Sequence, residues 1–186
     1  MTDNSLYEEI LIAGFGGQGI ISAGKLLSYA AMKSGKQVSC MPSYGAEVRG
    51  GTANCMVVIA DRPIASPLVN RPDSLIAMNT ASVSKFASQI KEGGLLVFNS
   101  SLVNETPKLS NITILPVPAD ELAVQLGDKK VANMVALGAY LQKKNILNLQ
   151  AAIDSLSETI AKKHQEALPI NAAALDRGAQ FVKDYG

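Results

Sequence analysis

A short apolar run, Ile10-Leu11-Ile12-Ala13, passes directly into Gly14-Phe15-Gly16-Gly17-Gln18-Gly19, and helical spacing follows at Ile20, Ala23, Gly24, Leu27, Ala30 and Ala31. A continuous apolar run of that length is the pattern of a strand buried on both faces, and recurrence at three and four residues is that of a one-sided helix. Glycines between them allow a turn too tight for side chains, and Gly35 offers a left-handed stop to the helix. Strand, glycine turn and helix in that order make one βα unit. Few folds other than a parallel, helix-covered sheet begin this way.

The rest of the chain repeats the alternation. Val38–Met41 reads as a second strand stopped by Pro42, and Thr52–Ala60 as a third, closed by Asp61, Arg62 and Pro63. Further strands are expected at Ser74–Met78, Leu95–Phe98 and Ile112–Pro116, with a helix containing Lys85 between the first two. Helices are expected at Asp120–Leu126, Val131–Lys143, Leu149–Lys163 and Asn171–Lys183. The segment Val131–Leu141 has almost no polar face, which suits either a central buried helix or one lying in a subunit interface. With 186 residues and no repeat or long linker, the expectation is a single Rossmann-like α/β domain over residues 1–186, a mostly parallel sheet wrapped by helices with a helical C-terminal part.

Composition narrows the chemistry. Lys and Arg number 17 against 16 Asp and Glu, so no basic field gathers nucleic acid or an anionic membrane surface, and neither is expected as a partner. Only Cys40 and Cys55 could supply thiolates, too few for an iron–sulfur cluster or a structural zinc. His164 is the single histidine, in a Lys-rich segment, and reads as a solvated helix-end residue. Cys55 reads as a buried apolar residue within its strand. Residues 1–9 have no apolar signal core, and no run reaches the roughly 18 residues of a membrane span, so a cytoplasmic location is expected.

Two motifs carry function. Gly14, Gly16 and Gly19 satisfy the G-x-G-x-x-G pattern between a strand and a helix, where free amides at the helix start favour an anion such as phosphate. A dinucleotide site would place an acidic residue at the end of the second strand, but Cys40, Met41 and Pro42 stand there and Glu47 comes only in the following loop. Gly17 and Gln18 also depart from the nicotinamide and flavin fingerprint, which leaves phosphate binding or close subunit packing. The second motif runs from Pro42 through Ser43, Tyr44, Gly45, Ala46, Glu47, Val48, Arg49, Gly50, Gly51, Thr52, Ala53 and Asn54 to Cys55. Arg49 beside two glycines presents a planar charge next to open backbone, suited to a carboxylate or phosphate; the alternative is a surface pair with Glu47. In a doubly wound sheet this loop emerges beside the first glycine turn, so Gly16 and Arg49 should be neighbours, with Tyr44 and Asn54 positioning the loop.

Together with Pro72-Asp73-Ser74-Leu75-Ile76-Ala77-Met78-Asn79, these motifs resemble the gamma subunit of 2-oxoacid:ferredoxin oxidoreductases, and the likeness continues through Asn133–Gly138 and Asn171–Gly178. The resemblance implies a complex that oxidatively decarboxylates a 2-oxoacid, joins the acyl group to coenzyme A as co-substrate, and passes electrons to ferredoxin. It implies alpha, beta and ferredoxin-like delta partners that hold the thiamine diphosphate, Mg and iron–sulfur clusters, none of them bound by this chain alone, and an isolated chain without activity. No catalytic residue or metal ligand is expected here. The expected cofactor-facing residues are Gly14, Gly16, Gly17, Gln18, Gly19, Tyr44, Arg49, Gly50 and Asn54. The Arg-Gly-Gly-Thr-Ala-Asn-Cys form looks most like the 2-oxoglutarate branch, with branched-chain 2-oxoacid and pyruvate enzymes of the same family as alternatives, and a free-standing nucleotide-binding oxidoreductase as the alternative outside it.

Overall fold

The structure is a computed structural model that describes residues 5–44 and 52–185. Six strands form one sheet: β1 (Tyr7–Phe15), β2 (Gln37–Tyr44), β3 (Thr52–Ala60), β4 (Ser74–Ala77), β5 (Leu95–Asn99) and β6 (Thr113–Val117), in the order β2-β3-β1-β4-β5-β6. The pairings β1–β4, β4–β5 and β5–β6 are parallel, whereas β3 runs antiparallel to both β1 and β2. The sheet is therefore mixed, and its parallel part is the half beyond β1. Alternation of strands and helices identifies layers but not the direction of a strand whose connection is short. Seven residues join β2 to β3, too few for the crossover that parallel neighbours need.

Helices α1 (Ile20–Lys33), α2 (Thr80–Phe86), α3 (Ala119–Gln125), α4 (Ala132–Lys144), α5 (Leu149–Asp154), α6 (Leu156–Thr159) and α7 (Leu168–Tyr185) cover the sheet. Apolar residues of β1 alternate between two cores: Ile10 and Ile12 pack with α1 and α4, while Leu11 and Ala13 pack with α2. Each of Ala132 to Leu141 in α4 is buried, as a central helix requires. Its Gly138 faces the Leu175 backbone of α7, and Gly178 of α7 faces the Val135 backbone, so the two helices meet nearly backbone to backbone. Among the described residues no helix is long and apolar enough to cross a membrane.

Among the differences from the sequence expectation, three have identifiable reasons. β2 continues through Pro42 to Tyr44 because it lies at the sheet edge, where one side of the backbone needs no partner. The helix expected over Leu149–Lys163 is broken. Ser155 Oγ donates to the Ala151 carbonyl at 2.7 Å and Thr159 Oγ1 to the Ser155 and Leu156 carbonyls at 3.2 Å, local bonds that compete with the helical ladder. α7 starts at Leu168, three residues before the expected Asn171, with Pro169 in its first turn, where no amide hydrogen is required. Cys55 is fully buried as expected, and His164 lies in a short 3-10 segment with its side chain 61% exposed.

At the opposite end of β1, Glu8 is buried, accepts from Ser74 Oγ at 2.6 Å and pairs with Lys144 at 3.0 Å. Burial pushes its carboxyl above the ordinary value near 4.5, against the lowering effects of Ser74 and Lys144. A carboxyl raised in the folded state contributes stability below its unfolded value that is lost as pH climbs through the folded value. Urea unfolding of the wild type should therefore show stability declining as pH rises past 4.5, with that slope reduced in Glu8→Gln. Identical pH slopes for the two proteins would contradict this.

Candidate functional site

The chain leaves β1 at Phe15 and turns through Gly16 and Gly17 into α1. Positive φ falls at Gly17 (93°) and Gly19 (69°), the two positions where the turn needs glycine's conformational freedom. Gly19 has a second constraint: its carbonyl accepts from Asn133 Nδ2 at 2.9 Å, and a Cβ there would lie 2.8 Å from Asn133 Cγ. At Gly14 a Cβ would meet Ile20 Cδ1 at 2.6 Å and Gln18 Oε1 at 2.8 Å. Around Gly17 the corresponding space is open.

Gln18 bridges the carboxyl ends of β1 and β4. Its Oε1 accepts from the Phe15 amide at 2.7 Å and from Asn79 Nδ2 at 2.9 Å, while its Nε2 donates to the Met78 carbonyl at 3.2 Å. Asn79 Oδ1 in turn accepts from the Ser82 amide at 2.8 Å, capping α2. The α1 connection leads from β1 to the β2 side and the α2 connection from β4 to the β5 side. The crevice between β1 and β4 is thus the point where successive crossovers diverge, the usual ligand position of open α/β sheets.

A cavity of about 280 Å³ opens there, lined by Gly17, Gln18, Met78, Leu102, Asp120, Lys129, Lys130 and Ala132. Lys129 Nζ pairs with Asp120 Oδ2 at 3.0 Å, and Asp120 Oδ1 accepts from Asn99 Nδ2 at 2.7 Å, so the buried carboxylate is held from both sides. Lys130 also borders a second recess of about 440 Å³ that includes Gly19, Ser22, Asn133, Ile160 and Ile170. The glycine turn thus stands between a recess lined by two lysines and a larger one of mixed polar and apolar lining. Two lysines against one aspartate leave the first suited to an anion.

The second motif reaches the same edge. Although β3 is inserted between β1 and β2, two antiparallel pairings in succession restore direction, so β1 and β2 point the same way. Phe15 pairs with Thr52 and Tyr44 with Ala53, which brings both ends of the segment 45–51 to the end of β1, beside the glycine turn. Arg49 and Gly50 themselves lie outside the described residues, as does Glu47. Tyr44 is 70% exposed at the end of the edge strand. Asn54 Oδ1 is buried with no hydrogen-bond partner among the described residues. The structure therefore gathers Gly14, Gly16, Gly17, Gln18, Gly19, Tyr44 and Asn54 at one edge, with Gln18 committed to holding the turn. Lys129, Lys130 and Asp120 carry no site role in the sequence reading, where more than a hundred residues separate them from the glycines and no motif contains them; Asn133 opens the stretch Asn133–Gly138 that carries the family likeness, with no contact to the glycine turn expected of it.

Residues 9–181 match the family model described as pyruvate ferredoxin/flavodoxin oxidoreductase. The chain belongs to this family. Over 181 residues it is 34% identical to the 2-oxoglutarate synthase subunit KorC of Methanocaldococcus jannaschii, with 95% of each covered. It is 35% identical over 175 residues to the ketoisovalerate oxidoreductase subunit VorA of Methanothermobacter marburgensis; this covers 94% of the chain but 36% of that relative, so the chain spans about a third of its length. Among solved structures, the keto/oxoacid ferredoxin oxidoreductase gamma subunit of Geobacter sulfurreducens superposes with a TM-score of 0.82 at 30% identity, covering 95% of this chain and 99% of that one. The 2-oxoglutarate:ferredoxin oxidoreductase of Magnetococcus marinus, solved with 2-oxoglutarate, coenzyme A and succinyl-CoA, gives 0.85 at 27% identity, covering 96% of this chain and 31% of that one. The gamma-subunit resemblance read from the glycine motifs and the α/β fold agree with these matches.

Proposed function

We propose that the whole chain, residues 1–186, acts as one gamma-type unit of a multisubunit 2-oxoacid:ferredoxin oxidoreductase in the cytoplasm, and that its carboxyl sheet edge receives the phosphate-bearing part of coenzyme A. The observation that carries this reading is the meeting of the Gly17–Gly19 turn, the Lys129–Lys130 recess and both ends of the segment 45–51 at one edge. Open space at Gly17 and the two lysines of the recess, one of them paired to Asp120, fit phosphate oxygens, and the larger adjacent recess of mixed lining leaves room for a flexible thiol-bearing arm. Arg49 would add a forked donor from the connecting segment. Thiamine diphosphate, Mg and the iron–sulfur clusters belong in this reading to alpha, beta and delta subunits, because two cysteines and one histidine leave this chain no comparable ligand set. 2-Oxoglutarate is the favoured substrate: the Arg49-Gly50-Gly51-Thr52-Ala53-Asn54-Cys55 form supports it, as does a KorC relative matched over its full length.

Affinity purification through this chain under anaerobic conditions should recover alpha, beta and ferredoxin-like chains. That material should reduce a low-potential dye when given 2-oxoglutarate and coenzyme A, faster than with pyruvate or 2-oxoisovalerate. Recovery of the chain alone, or activity independent of coenzyme A, would count against the proposal; a preference for a branched-chain acid would correct the substrate and leave the rest standing.

A further inference from the structure

We propose that Cys40 and Cys55 form a redox-responsive dithiol, in which exposed Cys40 is oxidised by a hydroperoxide and buried Cys55 closes a reversible disulfide between β2 and β3. Cys40 pairs in register with Val57, and Cys55 lies two residues along the same strand, so both thiols point to the α1 face of the sheet. Their sulfurs are 3.6 Å apart. Forming a bond of about 2.05 Å requires an approach of about 1.5 Å, which an edge strand paired on one side only can supply. Gly24 of α1 lies against Cys55, and the absence of a side chain there makes room for the buried thiol.

The surroundings divide the two sulfurs into attacking and resolving roles. Cys40 is exposed on the edge strand and Cys55 is fully buried. The Cys55 thiol donating toward Cys40 brings the Cys40 pKa down to about 6, with further lowering from Ser28 and Lys25 of α1 against the opposing effect of burial. The Ser28 hydroxyl is buried with no hydrogen-bond partner among the described residues, yet stands close enough to favour negative charge on Cys40. Cys55 is pushed the other way, first by its hydrogen bond to Cys40 and then by burial. That first cause disappears once Cys40 is no longer a thiolate.

In the first step the Cys40 thiolate attacks the terminal peroxide oxygen. An S–O bond forms, the O–O bond breaks, sulfur loses two electrons to the peroxide, and an alcohol or water leaves after protonation. In the second step Cys55 sulfur attacks Cys40 sulfur, the S–S bond forms, the S–O bond breaks, and the departing hydroxide takes the Cys55 proton to leave as water. A dithiol reductant reverses the result with two electrons. Because β2 runs from Cys40 to Tyr44 and into the segment 45–51, closing the bond would shift the strand that carries one end of the candidate site.

The test uses the full-length reduced chain. Iodoacetamide should modify one thiol per chain with a rate that is half-maximal near pH 6, and Cys40→Ser should abolish that reaction. The pH profile decides, because a lower pKa raises the thiolate fraction while reducing its intrinsic nucleophilicity, so rates at neutral pH differ little. One equivalent of hydrogen peroxide should then remove both thiols with a mass loss of two hydrogen atoms, restored by dithiothreitol. Cys55→Ser should stop at a sulfenic acid trapped by dimedone. An alkylation profile centred near the ordinary thiol value of about 8.5, oxygen added only to methionine with both thiols intact, or disulfide found only between chains would overturn the proposal on the wild-type protein alone.

Discussion

Gly178→Ala is expected to lower stability by about 3 kcal/mol or more, although alanine is the better helix former by about 1 kcal/mol. A Cβ at Gly178 would press on the Val135 carbonyl, 2.8 Å from its carbon and 2.9 Å from the Ala139 amide nitrogen. These are backbone atoms of a buried helix, so no side chain can rotate away and α7 must move off α4 as a unit. Gly138→Ala meets the Leu175 backbone in the same way, 2.7 Å from its carbonyl carbon, and should cost a comparable amount. Because the two substitutions separate the same helices, their effects should be less than additive. Urea denaturation of both single variants and the double variant measures this. Stability within about 0.5 kcal/mol of wild type for either single variant would contradict the observed helix contact.

The second large effect concerns the site. In the assembled enzyme, replacing Lys129 and Lys130 together by alanine should raise the coenzyme A KM about tenfold or more, since charge-assisted hydrogen bonds contribute about 1.5–3 kcal/mol each. Turnover at saturating coenzyme A should change little, because both ammonium groups would serve binding and neither a reacting atom. Arg49→Lys keeps the charge but loses the fork, and a several-fold rise is expected from it. Lys85→Ala, on the opposite helical layer, serves as the control. If all three variants show the wild-type coenzyme A dependence, the carboxyl edge does not hold this co-substrate.

Local patterns made much of this architecture readable from the sequence. Ile10–Ala13 and the spacing from Ile20 placed β1 and α1, and the apolar run Thr52–Ala60 matched β3 residue for residue. The unbroken apolar character of Val131–Leu141 marked the buried α4. Strand direction was less accessible, because the side chains of Thr52–Ala60 look alike whether β3 runs with or against β1. That both ends of the second motif reach the edge beside the glycine turn was still legible: β2 ends at the same edge as β1, through two reversals instead of one shared direction. Gln18 stood in plain view as a departure from the dinucleotide fingerprint, but its bonds to Met78 and Asn79 depend on β4 lying next to β1. The lysine pair was out of reach for a similar reason. Only the packing of α3 and α4 against the sheet carries residues 129 and 130 to Gly17.

The central claim is that this chain completes a catalytic assembly without carrying out the chemistry itself. Its most direct test is complementation under anaerobic conditions. The partner subunits purified without this chain, this chain alone, and the recombined mixture are each supplied with 2-oxoglutarate, thiamine diphosphate, Mg²⁺, coenzyme A and a low-potential acceptor, and acyl-CoA is measured. The account predicts no acyl-CoA from this chain alone, little from the partners alone, and recovery on mixing. Acyl-CoA formed by this chain alone, or at the full rate by the partners without it, would contradict it.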